Sequence, residues 1–63
     1  MSELAILFNI IHECNLLAGI TILDYETAEY CSTVREYTLQ EYFNGSYETY
    51  KVAYEKFIES LTN

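Results

Sequence analysis

The longest run of apolar positions in the chain extends from Leu4 to Leu23. Within it, one group of apolar residues recurs every three or four positions, which is the spacing of one face of an α-helix. This group consists of Leu4, Leu7, Phe8, Ile11, Cys14 and Ala18. Ile6, Ile10 and Leu17 fall on a second face, and a helix that is apolar on most sides needs partners on several of them. We therefore predict a central helix 1 over about residues 3–18, with this second face as a candidate interface between copies of the chain.

Two further helices are predicted, helix 2 over about residues 22–43 and helix 3 over about residues 47–61. The residues expected on the inner face of helix 2 are Leu23, Thr27, Tyr30, Cys31, Val34, Tyr37 and Tyr42. Those expected on the inner face of helix 3 are Tyr47, Tyr50, Tyr54, Phe57, Ile58 and Leu61. Helices joined by short turns alternate in direction. The sequence therefore predicts an all-α fold, a small antiparallel three-helix bundle in one domain over residues 1–63, with dimerisation through helix 1 as an additional option.

The helix ends are predicted from capping residues and glycines. Gly19 is expected at the C′ position after helix 1, where a positive φ is needed. Thr21 and Asp24 resemble a capping box at the start of helix 2, with Asp in place of the usual Glu or Gln. Asn44–Gly45 predicts a turn after helix 2, and Ser46 is then expected to cap helix 3. The two residues after helix 3 are expected to fray.

Charge is the strongest signal in the composition, because ten acidic residues stand against three basic ones and the formal net charge is −7. Direct nucleic-acid binding is disfavoured, since it depends mainly on Lys and Arg contacts to phosphates. On the outer face of predicted helix 2, Glu26, Glu29 and Glu36 recur in one row, which favours a partner with a basic surface. Tyrosines concentrate in binding interfaces, and Tyr25 and Tyr42 fit the predicted core stripes least well. These five residues form the predicted partner-binding set.

Helix 1 also has the length of a membrane span, which needs about 20 residues. However, polar side chains occupy its middle, namely Asn9, His12, Glu13 and Asn15. A central acid costs about 2.5–3.5 kcal/mol on insertion scales. The apolar run has no flanking Lys or Arg, and the Met-Ser-Glu start lacks the positive charge of a secretory signal. We therefore expect no membrane association and a cytoplasmic location.

No group of residues has the arrangement that catalysis needs, which is a base, a nucleophile and an orienting group in one pocket. The single histidine, His12, is followed directly by Glu13 and Cys14, and sequence neighbours point in different directions around a helix. We predict that the protein is not an enzyme and binds neither a metal nor another cofactor. Cys14 and Cys31 are predicted to be buried, reduced thiols. The alternative is a disulfide between them, which is geometrically possible if helices 1 and 2 are antiparallel neighbours.

In its size, acidity and helix content, the chain resembles small virus- or mobile-element-encoded inhibitors of host defence, such as anti-CRISPR or anti-restriction proteins. This resemblance carries no site residues. It implies a non-catalytic protein that docks in the host cytoplasm on the basic, nucleic-acid-binding surface of a larger protein. Two alternatives remain. One is a homo-oligomeric assembly protein that associates through helix 1, and the other is an antitoxin or immunity-type partner that neutralises a basic toxin.

Overall fold

The computed structural model describes residues 2–62, which form three α-helices that pack against one another. In chain order these are α1 (Glu3–Ile20), α2 (Tyr25–Phe43) and α3 (Tyr47–Thr62). The predicted small all-α bundle is confirmed. α1 and α2 run antiparallel, since the Glu3 carboxylate at the start of α1 meets the Tyr42 hydroxyl near the end of α2. α3 includes Thr62, which was expected to fray, whereas Asn63 lies outside the described residues.

Each helix begins after a polar side chain that accepts a hydrogen bond from the backbone N–H three residues later. The acceptors are Ser2, Asp24 and Ser46, at 3.2, 3.3 and 3.4 Å. Such caps satisfy an amide that has no partner inside the first turn. The prediction for Ser46 is confirmed. The proposed capping box at Thr21 is wrong, because the chain is still extended there and α2 starts only after Asp24.

The prediction that Gly19 ends helix 1 is also wrong. α1 continues to Ile20, and the Thr21 N–H closes the helix by donating to the Leu17 carbonyl at 3.0 Å. A glycine inside a helix costs only about 1 kcal/mol relative to alanine, so its presence does not force an end. The turn after α2 agrees with the prediction, because Asn44–Gly45 adopts positive φ angles of 54° and 79°.

The core is centred on the Phe8 side chain of α1. Four mutually packed residues are buried, namely Phe8, Ile11, Val34 and Tyr50. The Phe8 ring touches four other aromatic rings, with centroid distances of 5.5 to 6.0 Å. These rings belong to Phe43, Tyr50, Tyr54 and Phe57. Phe8 therefore joins α1 to both other helices at one place.

The inner face of α2 differs from the prediction. Tyr30 and Tyr37 are exposed, so their assignment to the core was wrong. Tyr42, which fits the predicted core stripe least well, is exposed too. The buried residues of α2 are Cys31, Val34 and Thr38. Thr38 is 0% exposed, and its hydroxyl donates to the Val34 carbonyl at 2.8 Å, which allows a polar residue to occupy the core. This smaller inner face leaves most of the α2 surface in solvent.

The outer ends of the predicted stripes on the other two helices are likewise exposed. Ala18 of α1 lies beyond the region that α2 and α3 cover. In α3, Tyr47 and Leu61 are exposed, whereas Tyr50 is buried and the positions between Tyr50 and Leu61 on that face are half-buried. The three helices therefore cover only the central part of each apolar stripe.

The prediction of reduced thiols is wrong, because Cys14 and Cys31 form a disulfide with a Cα–Cα distance of 6.0 Å. Both residues are buried, as expected. The antiparallel packing of α1 and α2 brings the two positions opposite each other on the inner faces of their helices. The bond closes a sequence separation of 17 residues.

Removing this covalent link should lower the free energy of unfolding. A cross-link over a separation of this size contributes about 3 kcal/mol in the chain-entropy model. We expect the double variant Cys14→Ala/Cys31→Ala to lose an amount of this order in urea denaturation followed by circular dichroism. A reducing agent should lower the unfolding midpoint of the wild type and leave that of the double variant unchanged. Equal midpoints of wild type and variant without reductant would contradict the stabilising role.

Candidate protein-docking surface

The outer side of α2 carries a row of carboxylates. Glu26, Glu29 and Glu36 are all exposed, and they lie on the part of the helix surface that faces away from the buried Cys31, Val34 and Thr38. Their ten-residue extent corresponds to about 15 Å along a helix. We call these three residues the acidic row. The neighbouring Asp24 is not part of it, because hydrogen bonds from the Thr27 side chain and backbone hold its cap carboxylate and lower its pKa.

The two tyrosines of the predicted partner-binding set lie in different places. Tyr25 is 81% exposed and stands directly beside Glu26 at the start of α2. Tyr42 lies near the other end of α2, where its hydroxyl donates to the Glu3 carboxylate of α1. The structure therefore brings Tyr25 next to the acidic row, whereas the hydroxyl of Tyr42 is engaged within the molecule.

A second tyrosine joins this contact between α1 and α2. The Tyr37 hydroxyl donates to the same Glu3 oxygen at 3.4 Å. The hydrogen bond to Glu3 raises the pKa of Tyr42 to about 12, and burial adds to this effect. The negative charge of Glu3 is also the main reason why the pKa of Tyr37 is raised. Glu3 thus holds both hydroxyls in their protonated form and connects the start of α1 to the end of α2.

The candidate oligomer residues on α1 separate into two groups. Ile6 and Leu17 are exposed, whereas Ile10 is half-buried and packs against the core. Three further exposed residues extend this surface beyond the prediction, namely Leu16, Ile20 and Ile22. Ile20 is 81% exposed at the last position of α1, and Ile22 is 97% exposed in the connection to α2. By length and composition, α1 also meets the criteria for a membrane span, and core helices and signal sequences meet the same criteria.

The chemistry available on this surface is electrostatic and aromatic. Among residues 2–62, no group of three or more His, Cys, Asp and Glu side chains has the arrangement of a metal site. His12 is half-buried on α1. What the outer side of α2 offers is a set of carboxylates with exposed tyrosine rings beside them. Such a surface can attract a cationic partner and bury aromatic area against it.

Sequence reasoning missed Tyr30 and Tyr37 as surface residues. Both are predicted in the core because tyrosine, with an apolar ring and a polar hydroxyl, suits half-buried positions. The signal that defines the inner face is the helical spacing of Cys31, Val34 and Thr38. Val34 lies three positions after Cys31, and Thr38 lies four positions after Val34. Applied strictly, this spacing excludes both tyrosines from the core and adds them to the exposed aromatic residues of α2.

No protein-family model, curated protein or solved structure matches this chain. A function must therefore be inferred from the side chains on the surface of the bundle.

The contact between Tyr42 and Glu3 predicts a late step in an alkaline titration. We expect the variant Glu3→Gln, which lacks the negative charge, to bring the pKa of Tyr42 from about 12 toward the ordinary value of 10.0. The Tyr42 hydroxyl binds its proton more tightly in the folded state than in the unfolded state. The contribution of this contact to the free energy of unfolding is therefore complete below pH 10 and is lost as the pH rises toward 12. Tyrosinate absorbance measures the titration, and Glu48→Gln is the control. An unchanged late step in Glu3→Gln would contradict this assignment.

Proposed function

We propose that this protein is a small, acidic, non-catalytic binding protein that inhibits or regulates a larger protein by docking on a basic surface. The observation that supports this proposal best is the exposure of all three carboxylates of the acidic row on one side of α2, with Tyr25 beside them. Arg35, the basic residue of α2, lies in a groove toward α3 instead. The carboxylates supply attraction and orientation, while tyrosine rings supply the area that a stable contact buries.

The spacing of the acidic row limits how it can act. Three charges over about 15 Å are sparse beside duplex DNA, which carries one charge per about 1.7 Å of its axis. One copy of the chain therefore imitates at most a short part of a nucleic acid. The target that fits is a local basic patch, such as part of the nucleic-acid-binding surface of the partner protein.

Within this function, we favour an inhibitor of host defence encoded by a virus or a mobile element, of the anti-CRISPR or anti-restriction kind, acting in the host cytoplasm. The size, the acidity and the helical bundle support this class. An antitoxin or immunity-type protein uses the same chemistry against a different target. The Cys14–Cys31 disulfide is relevant to the cellular location of the protein. Disulfides persist mainly in oxidising compartments, and those that persist inside cells are found mainly in hyperthermophiles. The cytoplasmic location stays a prediction.

The charge-reversal variant Glu26→Lys/Glu29→Lys/Glu36→Lys tests the docking proposal. The tagged protein is used to capture partners from a lysate of the host cell at physiological salt. We expect the wild type to retain a basic protein that the variant does not retain. At high salt the wild type should also lose it, because the Debye length falls from about 8 Å at 0.15 M to about 3 Å at 1 M ionic strength.

A control variant changes the net charge by the same amount elsewhere. Glu13, Glu48 and Glu59 are exposed residues of α1 and α3 and are likewise replaced by lysine. This variant should keep most of the wild-type capture, and circular dichroism should show that both variants remain helical. Equal capture by the wild type and the acidic-row variant would show that the acidic row does not form the docking surface.

The exposed apolar residues of α1 support a second candidate function, assembly with another copy of the chain. The residues are Ile6, Leu16, Leu17 and Ile20. Two of the ten acidic residues, Glu3 and Glu13, lie on α1, and Glu13 borders a shallow recess of this surface with Leu16 and Leu17. A mostly apolar face suits a partner with the same properties, and a second α1 has them.

Sedimentation measures this association. At micromolar concentration we expect the wild type to be a dimer and Leu17→Glu/Ile20→Glu to be a monomer, because burying an unpaired carboxylate at an apolar interface is unfavourable. The matched control is Val52→Glu, an exposed apolar position on α3. It should sediment as the wild type does. A strictly monomeric wild type would exclude the assembly function and leave the docking function untouched.

A further inference from the structure

Two of the three basic residues of this acidic chain line a single groove. The groove is formed by Asn15 of α1, Arg35 of α2, and Tyr47, Tyr50, Lys51 and Tyr54 of α3. Its volume is about 470 Å³, within the range of roughly 300–1,000 Å³ of small-molecule sites. Because all three helices contribute to it, the groove exists only in the folded bundle.

The tyrosines of the groove form a continuous aromatic row on one side of α3. The rings of Tyr50 and Tyr54 stack with centroids 6.2 Å apart, and the Tyr47 ring lies 5.7 Å from that of Tyr50. Tyr50 is 8% exposed and belongs to the core, whereas Tyr47 is 63% exposed. Tyr47 therefore extends the aromatic core into solvent and leaves part of a ring available for stacking.

Among the residues that the structure describes, the two cations in the groove have no anionic partner. In the part of the chain that the structure describes, neither the Arg35 guanidinium nor the Lys51 ammonium forms an ion pair or a side-chain hydrogen bond. Glu55 lines the groove one turn after Lys51 without pairing with it. Glu36 lies beside Arg35 where the groove continues into a smaller recess of about 120 Å³. Both cations are exposed and able to accept an anion from solvent.

The polar groups of the groove complement a phosphate. A guanidinium donates two parallel hydrogen bonds to phosphate oxygens, and an ammonium adds a compact positive charge. The Asn15 side-chain amide donates to the Tyr54 hydroxyl at 2.9 Å, so the hydroxyl keeps its own proton for donation to a ligand. An aromatic ring attached to the phosphate would find the exposed face of Tyr47 beside these donors.

We propose that this groove binds a small phosphate monoester carried on an aromatic ring, with the phosphate between Arg35 and Lys51 and the ring on Tyr47. Nucleoside monophosphates and aryl phosphates share this chemistry. Glu36 is the member of the acidic row that borders the groove, and the proposed contacts to the phosphate and the ring do not involve it, so this site goes beyond the docking function. The net charge of −7 opposes anions at long range, and binding therefore depends on the two local cations.

The test is an NMR titration of the isotope-labelled protein with four probes: AMP, O-phosphotyrosine, adenosine and inorganic phosphate. We expect at least one of the two monoesters to give saturable shifts confined to Arg35, Tyr47, Lys51 and their neighbours. Adenosine and inorganic phosphate each supply half of the contacts and should bind at least about tenfold more weakly, which corresponds to about 1.4 kcal/mol. Tighter binding of AMP would indicate a nucleoside monophosphate as the ligand, and tighter binding of O-phosphotyrosine would indicate an aryl phosphate.

Variants with matched controls localise the binding. Arg35→Gln/Lys51→Gln should abolish saturable binding, whereas Lys56→Gln, which removes the cation outside the groove, should leave it unchanged. Tyr47→Ala should weaken binding, and Tyr25→Ala, at a tyrosine that is even more exposed, should not. If circular dichroism shows that the double variant is not helical, the single variant Lys51→Gln is compared with Lys56→Gln instead. The proposal is overturned if neither monoester shows saturable binding, or if adenosine or inorganic phosphate binds as tightly as the monoesters. It is also overturned if Lys56→Gln weakens binding as much as the double variant does.

Discussion

The aromatic contacts of Phe8 are the interaction on which the rest of the bundle depends. A chain of this size buries only about 60% of the surface that its unfolded form exposes, so it has few residues with which to stabilise itself. Four buried residues form the centre, and Phe8 is the one that reaches both α2 and α3. Edge and offset ring contacts add about 0.5–1.5 kcal/mol per pair beyond burial. The Cys14–Cys31 disulfide ties α1 to α2 one to two turns further along the bundle.

Because the core is small, most of each helix faces solvent, and this fixes where interactions with other molecules can occur. α2 contributes three buried residues out of nineteen, so its outer side is free to present the acidic row. The end of α1 projects beyond the bundle and leaves Leu17, Ile20 and Ile22 uncovered. Between α2 and α3, incomplete coverage opens the groove that holds Arg35 and Lys51. The three candidate surfaces therefore differ in chemistry: one is acidic, one apolar and one cationic-aromatic, and Glu36 lies where the acidic surface meets the cationic-aromatic one.

Helix number, type and approximate order follow from the periodicity of the sequence, as do the turn at Asn44–Gly45 and the cap at Ser46. The acidic row follows too, because three carboxylates at helical spacing lie on one side of any helix that contains them. Gly19 was misjudged, since a glycine permits a helix to end without requiring it. The tyrosines of α2 were misjudged because a ring with a hydroxyl fits both a core and a surface, and the spacing of Cys31, Val34 and Thr38 had to be weighed above hydrophobicity.

The sequence by itself determined three helices and an acidic outer side of α2, because both depend on the local spacing of side chains along the chain. Tertiary structure decided which side chains meet across helices. Only the packing of α1 against α2 brings Cys14 within bonding distance of Cys31 and places Glu3 between Tyr37 and Tyr42. Likewise, Asn15, Arg35 and Lys51 share a groove although they lie on three different helices. Such contacts depend on the relative position of helices, which no local spacing specifies.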